Sequence, residues 1–398
     1  MRRGIPDFFA FLSDRSTEAH DEVSAVSLGN KTMMLRTASP EQAGCSSAKL
    51  QAVYRLLEDS VAARAFPGAV ILIAKDGLVV GHSAFGRFTY EDTSPRMQAD
   101  TLFDLASLTK VVAATTAAMI LFEEGRLDLD ARVAATIPEF GQEGKAPSTI
   151  RHLLTHTSGL PGWADLYRTC RGKAAFLSRI CEMELEYETG TKCVYSDLGI
   201  IVLGAVLERC SGMSLDVFSQ SRLFGPLRMP DTMFNPPEEI WSRIAPTEEV
   251  PERGGIVQGQ VHDENAFAMG GVAPHAGLFG TAGDLAIFAQ MLLNGGEYAG
   301  KRIVQKSTIA LFTRRQPLVE GEHRGLGWRL WSEDGFSGRH FSPSSYGHTG
   351  FTGTSLWIDP ERNLFVILLT NRVHPTRDNT QLLSLRPRIH DRIALSCD

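Results

Sequence analysis

The chain has 398 residues, 43% of them hydrophobic and 22% charged, with a formal net charge of −6. This is the composition of an ordinary globular protein, long enough for one large composite domain or two. A mildly acidic balance with no basic block argues against nucleic acid as a partner, and the longest apolar runs, 111–122 and 364–369, are too short to span a bilayer.

Residues 1–37 are polar and aperiodic and read as a disordered extension outside the fold. They open with two arginines, but the apolar stretch that follows is only five residues, shorter than a signal sequence needs. The cytoplasm is therefore the expected compartment, with export open if the start lies further downstream. Six cysteines without close pairing predict no disulfide framework. Residues 47–65 carry Leu50, Val53, Leu56 and Leu57 on one stripe, the pattern of an amphipathic helix. Two apolar runs over 66–84 flank Asp76-Gly77, which predicts a hairpin.

Ser107-Leu108-Thr109-Lys110 follows, just ahead of the apolar run 111–122, which predicts a buried helix with Ser107 at its mouth. Residues at i and i+3 share a helix face, so Lys110 is expected to aim its amine at the Ser107 hydroxyl. A desolvated lysine can be neutral enough to take a serine proton, and a helix N-terminus favours the oxyanion that forms. Alone, Ser-x-x-Lys occurs by chance about once in a chain of this size. His152 and His156, spaced i and i+4, could ligate a metal, but no Glu follows His152, so helix capping and loop support are the expected roles. The segment 126–265 is helical and loop-rich, with exposed loops at Pro236-Pro237 and 251–255. Within it, Tyr195 stands in a polar turn ahead of an apolar helix, and Cys193 is expected to be buried and unreactive.

A glycine-rich loop over 270–277 contains His275, a candidate cleft residue beside His262, Asp263 and Glu264, and Thr281 is placed to cap a helix over 284–293. His348-Thr349-Gly350 lies on a predicted strand; two more strands, 354–358 and 364–370, and a last helix within 380–396 complete the chain. Strands from both chain ends and helices between them predict an α/β (α+β) fold. Its antiparallel sheet is flanked by helices, with a helical region at about 126–265 inserted in the α/β part.

Ser-x-x-Lys at 107–110, Tyr195 and His348-Thr349-Gly350, in that order, resemble the serine β-lactamase and penicillin-binding-protein superfamily, in particular its class C-like branch. The branch includes D,D-peptidases, D-aminopeptidases and family VIII-type esterases, and the resemblance covers residues 38–398. It implies a serine hydrolase domain, free of metal and cofactor, that acts through an acyl-enzyme on a small-molecule or peptide substrate. Ser107 would be the nucleophile, Lys110 and Tyr195 the proton carriers, and the backbone N–H groups of Ser107 and Phe351 the oxyanion hole. Asp197, His348, Thr349, Gly350, Trp163 and His275 would meet the substrate.

Two positions depart from the branch. Asp197 stands where Asn is usual; a carboxylate only accepts hydrogen bonds, so it can repel an acidic substrate, pair with Lys110 or cap the following helix. His348 replaces a lysine and implies a weaker, pH-dependent grip on a substrate carboxylate. A carboxylesterase or D-amino-acid peptidase is therefore expected ahead of a true class C-type β-lactamase or a penicillin sensor without turnover, and a neutral ester ahead of an anionic substrate. Specificity is expected from loops near Trp163, 240–275 and 316–345.

Overall fold

A computed structural model describes residues 35–317 and 319–397. Most of the N-terminal extension expected from the sequence, residues 1–34, lies outside them. Arg36–Thr37 (β1), within that expected extension, instead forms an edge strand, parallel to Leu78–Gly86 (β3) with Arg36 opposite Leu78. The rest of the seven-stranded sheet is antiparallel. Gly68–Lys75 (β2) and β3 form the predicted hairpin, and Asp76 and Gly77 take φ of 53° and 76° at its turn. Two left-handed residues in a row match the turn to the natural twist of the strands. From the C-terminal part come Arg329–Leu330 (β4), Tyr346–Thr349 (β5), Ser355–Asp359 (β6) and Leu364–Thr370 (β7), giving the order β1-β3-β2-β7-β6-β5-β4.

The central strands are buried on both faces, which is why β7 is an unbroken apolar run. Successive side chains alternate between two cores. Val70, Leu72, Phe365 and Ile367 join one core, whereas Ile71, Ile73, Val366 and Leu368 join the other. Ser47–Ala62 (α1) and Gln381–Ser396 (α6) cover the second face through Leu50, Val53, Leu57, Ile389 and Ile393. On the first face lie Thr116–Glu123 (α2), Ile150–Leu154 (α3), Asp197–Ser211 (α4) and Ala282–Leu293 (α5). The region 126–265 is helical as expected, with added short strands: Glu249–Val250 pairs with Gly255–Ile256, and Met233–Phe234 joins a small sheet with Phe103–Asp104 and Leu278–Gly280. Among the described residues no single helix is long and apolar enough to cross a membrane.

The cysteines correct the sequence reading. Cys45, just before α1, and Cys397, just after α6, form a disulfide across 352 residues, beside a backbone bond from Ser46 N–H to the Ser396 carbonyl at 2.7 Å. Sequence spacing cannot reveal a pair brought together only when two terminal helices pack on one sheet face. Closing so long a loop restricts the unfolded chain, an effect of about 2–5 kcal/mol. Cys45→Ser is thus expected to lower Tm, measured by calorimetry with and without reductant. An identical Tm in all four samples would show that the bridge does not form.

Candidate active site

The expected buried helix behind Ser107 is present but begins unusually. Lys110–Thr115 winds as a wide π-type turn before the regular α-helix α2, and such turns recur at functional sites. Ahead of it, Ala106 takes a left-handed φ of 46°, a costly conformation for a residue with a Cβ. It is held from several sides. Asp104 Oδ1 accepts Ala106 N–H at 2.8 Å, and Thr352 and Thr354 donate to the carbonyls of Asp104 and Leu105 at 2.7 and 2.9 Å. Gly350 presses against this turn: a Cβ there would lie 2.5 Å from the Leu105 carbonyl and 2.1 Å from Thr354 Oγ1. The end of β5 and the Ser107 turn are thereby locked together.

Lys110 Nζ donates to Ser107 Oγ at 2.9 Å and to the His275 carbonyl at 2.9 Å, and pairs with Asp197 Oδ1 at 2.7 Å. Three acceptors around one nitrogen suit an ammonium. Burial pushes the amine down, but the Asp197 carboxylate and Tyr195 outweigh it and the net shift is upward. The sequence suggested a desolvated, neutral lysine; the carboxylate at 197 reverses that. Of the roles open to Asp197, pairing is the one observed. The cap of α4 is Ser196, whose Oγ accepts Gly199 N–H at 3.0 Å.

Tyr195 stands beside Lys110, whose Nζ lies 4.9 Å from the centre of its ring, and the ring lies 4.7 Å from that of His156 and 5.8 Å from that of His348. Burial raises its phenol above the ordinary range against the pull of Lys110. His156 Nδ1 accepts Ser196 N–H at 3.1 Å, which fixes the Tyr195 turn. His152 Nδ1 meets Thr149 N–H at 3.1 Å at the start of α3. Capping and loop support, expected for both histidines, are the roles observed. Cys193 is half-buried where full burial was expected; it donates to the Thr155 carbonyl at 3.4 Å, and desolvation raises its thiol. Thr281 caps α5 as expected.

His348 is buried, with Nδ1 2.9 Å from the Thr349 carbonyl and Nε2 without a partner. Burial first, then Lys110 and Arg324, hold it well below the ordinary histidine range. It is neutral near neutral pH, so the expected imidazolium grip on a substrate carboxylate is not available. Trp163 is half-exposed. His275 is buried and pairs with Asp263 Oδ1 at 2.9 Å through Nε2. Its carbonyl is the third acceptor of Lys110, a structural duty the sequence did not reveal. The backbone N–H groups of Ser107 and Phe351 meet no acceptor among the described residues.

Ser107, Tyr195 and Phe351 stand where two cavities of about 350 Å³ each meet. Trp163, Asp197, Asp263, Glu264, His275 and Arg377 line one, whose three carboxylates pair with Lys110, His275 and Arg377. The other includes His348, Thr349 and Gly350 together with Arg324, Arg329, Arg372 and Arg386. The four arginines escaped the sequence reading because they are scattered over 63 positions of the chain and meet only when β4, the end of β7 and α6 come together. A larger cavity, about 730 Å³, is bounded by Tyr167, Glu252 and Phe267 and does not include Ser107.

The family model described as Beta-lactamase matches residues 53–386. The chain belongs to the beta-lactamase family. This beta-lactamase family member is 35% identical to the N-acetylmuramyl-L-alanine amidase of Bacillus subtilis (strain 168), over 92% of this chain and 90% of that protein. It is 34% identical to a Salmonella typhi protein that carries the provisional name D-alanyl-D-alanine carboxypeptidase, over 86% and 87%. In fold it is similar to a penicillin-binding protein homologue from Caulobacter crescentus, with TM-score 0.69, 23% identity and 88% and 98% of the chains covered. A family VIII carboxylesterase gives TM-score 0.65 at 24% identity, with 87% and 98% covered. The expected α/β architecture, and the reading as a serine hydrolase of this family, agree with these relatives.

Proposed function

We propose that this hydrolase cleaves an amide bond in a muramyl peptide, forming an acyl-enzyme on Ser107. The observation that carries the reading is the Ser107 hydroxyl, 2.9 Å from a fully engaged Lys110 ammonium, at the junction of a cavity with paired carboxylates and an arginine-lined cavity. Ser107 Oγ attacks the carbonyl carbon, and the free N–H groups of Ser107 and Phe351 receive the oxyanion. The serine proton passes to Tyr195 as the phenol gives its own to the leaving nitrogen, so the C–N bond breaks to release a neutral amine. Water then attacks the ester and the relay runs in reverse, restoring Ser107. Lys110 remains charged throughout and steadies the developing alkoxide. Two relatives at 34–35% identity, named for acting on muramyl-alanine and on D-alanyl-D-alanine, support amide over ester chemistry. Asp197 is neutralised by Lys110 and does not oppose an anionic substrate, which removes the ground for a neutral ester.

A disulfide persists most readily outside the cytoplasm. The Cys45–Cys397 bridge therefore favours an exported enzyme over the cytoplasmic placement expected from the short N-terminal apolar stretch. The test of function is a panel of N-acetylmuramyl-L-alanine, a D-alanyl-D-alanine peptide, a chromogenic cephalosporin and p-nitrophenyl acetate. The muramyl amide is expected to give the highest kcat/KM. A preference for the simple ester would return the enzyme to the carboxylesterases, and a burst without turnover on the cephalosporin would make it a sensor.

A further inference from the structure

The arginine cavity is out of balance. Arg324, Arg372 and Arg386 are 7%, 4% and 2% exposed, and none of the four arginines lies within ion-pair distance of a carboxylate among the described residues. The nearest opposing charges, Glu322 beside Arg329 and Glu248 beside Arg372, act at longer range. Arg324 Nη1 and Arg386 Nε are buried without any partner, as is His348 Nε2 beside them. Arg372 donates to the carbonyls of Arg377 and Asn379 at 3.1 and 2.8 Å, and among the described residues Arg386 reaches only the Thr354 carbonyl, at 3.5 Å. Arg324 lies 5.4 Å over the Tyr195 ring and Arg329 4.6 Å over Phe336. Burial pushes Arg329 down to about 10 and Arg386 to about 9, in each case with a neighbouring arginine adding to the fall.

Buried cations without counter-ions cost several kcal/mol each, and proteins normally pair them. No acidic side chain lines this cavity, whereas Asp197, Asp263 and Glu264 line its neighbour across Ser107. A single carboxylate needs one guanidinium fork; four arginines exceed that need.

We propose that Arg324, Arg329, Arg372 and Arg386 form a subsite for a substrate segment bearing two or more negative charges, the carboxylates of an acidic peptide, on the amine side of the scissile bond. The placement deepens the muramyl-amide reading and rests on it. Tyr195, the proton donor to the leaving amine, has Arg324 over its ring and His348 beside it, so the departing peptide runs into the arginine cavity. The acyl part then occupies the cavity of Trp163 and Glu264, where an exposed indole and carboxylates suit a hydroxylated ring.

The experiment compares N-acetylmuramyl-L-alanyl-D-glutamate, with two peptide carboxylates, against N-acetylmuramyl-L-alaninamide, with none. In wild type the diacid is expected to have the higher kcat/KM. In Arg324→Gln and in Arg329→Gln the diacid-to-amide ratio should fall about tenfold or more, the scale of a lost charged hydrogen bond, mainly through KM. An unchanged ratio in both variants would overturn the subsite. Wild-type protein supplies a second measurement that needs no variant. At constant ionic strength, tricarballylate should slow labelling of Ser107 by a neutral fluorophosphonate at far lower concentration than acetate. Equal potency of the two would refute the subsite, and protection by inorganic phosphate alone would refute the carboxylate assignment in favour of a phosphorylated substrate. Failure of labelling altogether sinks the acyl-enzyme reading, whereas normal labelling without anion selectivity sinks only the subsite.

Discussion

Ser107→Ala is expected to abolish covalent labelling by a fluorophosphonate and to reduce kcat by on the order of 10⁴-fold or more. The serine is half-buried at the meeting point of both cavities, and its Oγ is one of three acceptors of Lys110. Replacing it removes the atom that attacks and leaves the His275 carbonyl and Asp197 to hold the ammonium. The cost to stability should therefore be only about 1 kcal/mol, and a Tm close to wild type separates lost chemistry from lost fold. Mass spectrometry of the labelled protein gives the answer: a fluorophosphonate adduct that survives in the variant would place the nucleophile elsewhere.

The second large effect concerns Lys110 and Tyr195 as one unit. Lys110→Met and Tyr195→Phe should each reduce kcat by about 10²-fold or more. The double variant should lose far less than the product of the two, because the phenol's transfer depends on the alkoxide that the ammonium steadies, and once either is gone the loss of the other costs little. The pH profile tests the state of the lysine. If the ammonium is the active form, kcat falls as pH rises through the raised Lys110 pKa. Asp197→Asn removes the strongest upward influence on that pKa and leaves burial, which pushes it down. The alkaline loss of activity should then move to lower pH. A variant that instead gains activity on the alkaline side of neutrality would identify the neutral amine as the base.

Much of this was legible in the sequence, for identifiable reasons. The Asp76-Gly77 hairpin, the stripe of α1 and the apolar β7 are local patterns, and local patterns survive without tertiary context. Ser107 and Lys110 are three residues apart, so the geometry of one turn nearly fixes their contact. Tyr195 and His348 came through resemblance, since nothing in the chain between them encodes their approach. What escaped was long-range and electrostatic. The protonation of Lys110 depends on Asp197, 87 positions away, and the neutrality of His348 depends on burial that no spacing reports. The arginine cavity and the Cys45–Cys397 bridge are products of packing alone.

The two-sided burial of the sheet carries a consequence for folding fidelity. In a strand with one wet face, a one-residue slip would expose apolar side chains and be rejected on polarity. Here Ile367 and Leu368 would merely exchange one greasy environment for another. Polarity therefore cannot police the alignment of β7, and that duty passes to shape complementarity and to the connections at the strand ends. The alignment matters at a distance: β7 sets β6, with Leu368 opposite Ser355, and β6 sets β5, with Ser355 opposite Thr349. A slipped central strand would displace Gly350 from the Ser107 turn while leaving the core dry. Misalignment in this protein would thus produce a compact, soluble and silent enzyme rather than an aggregate.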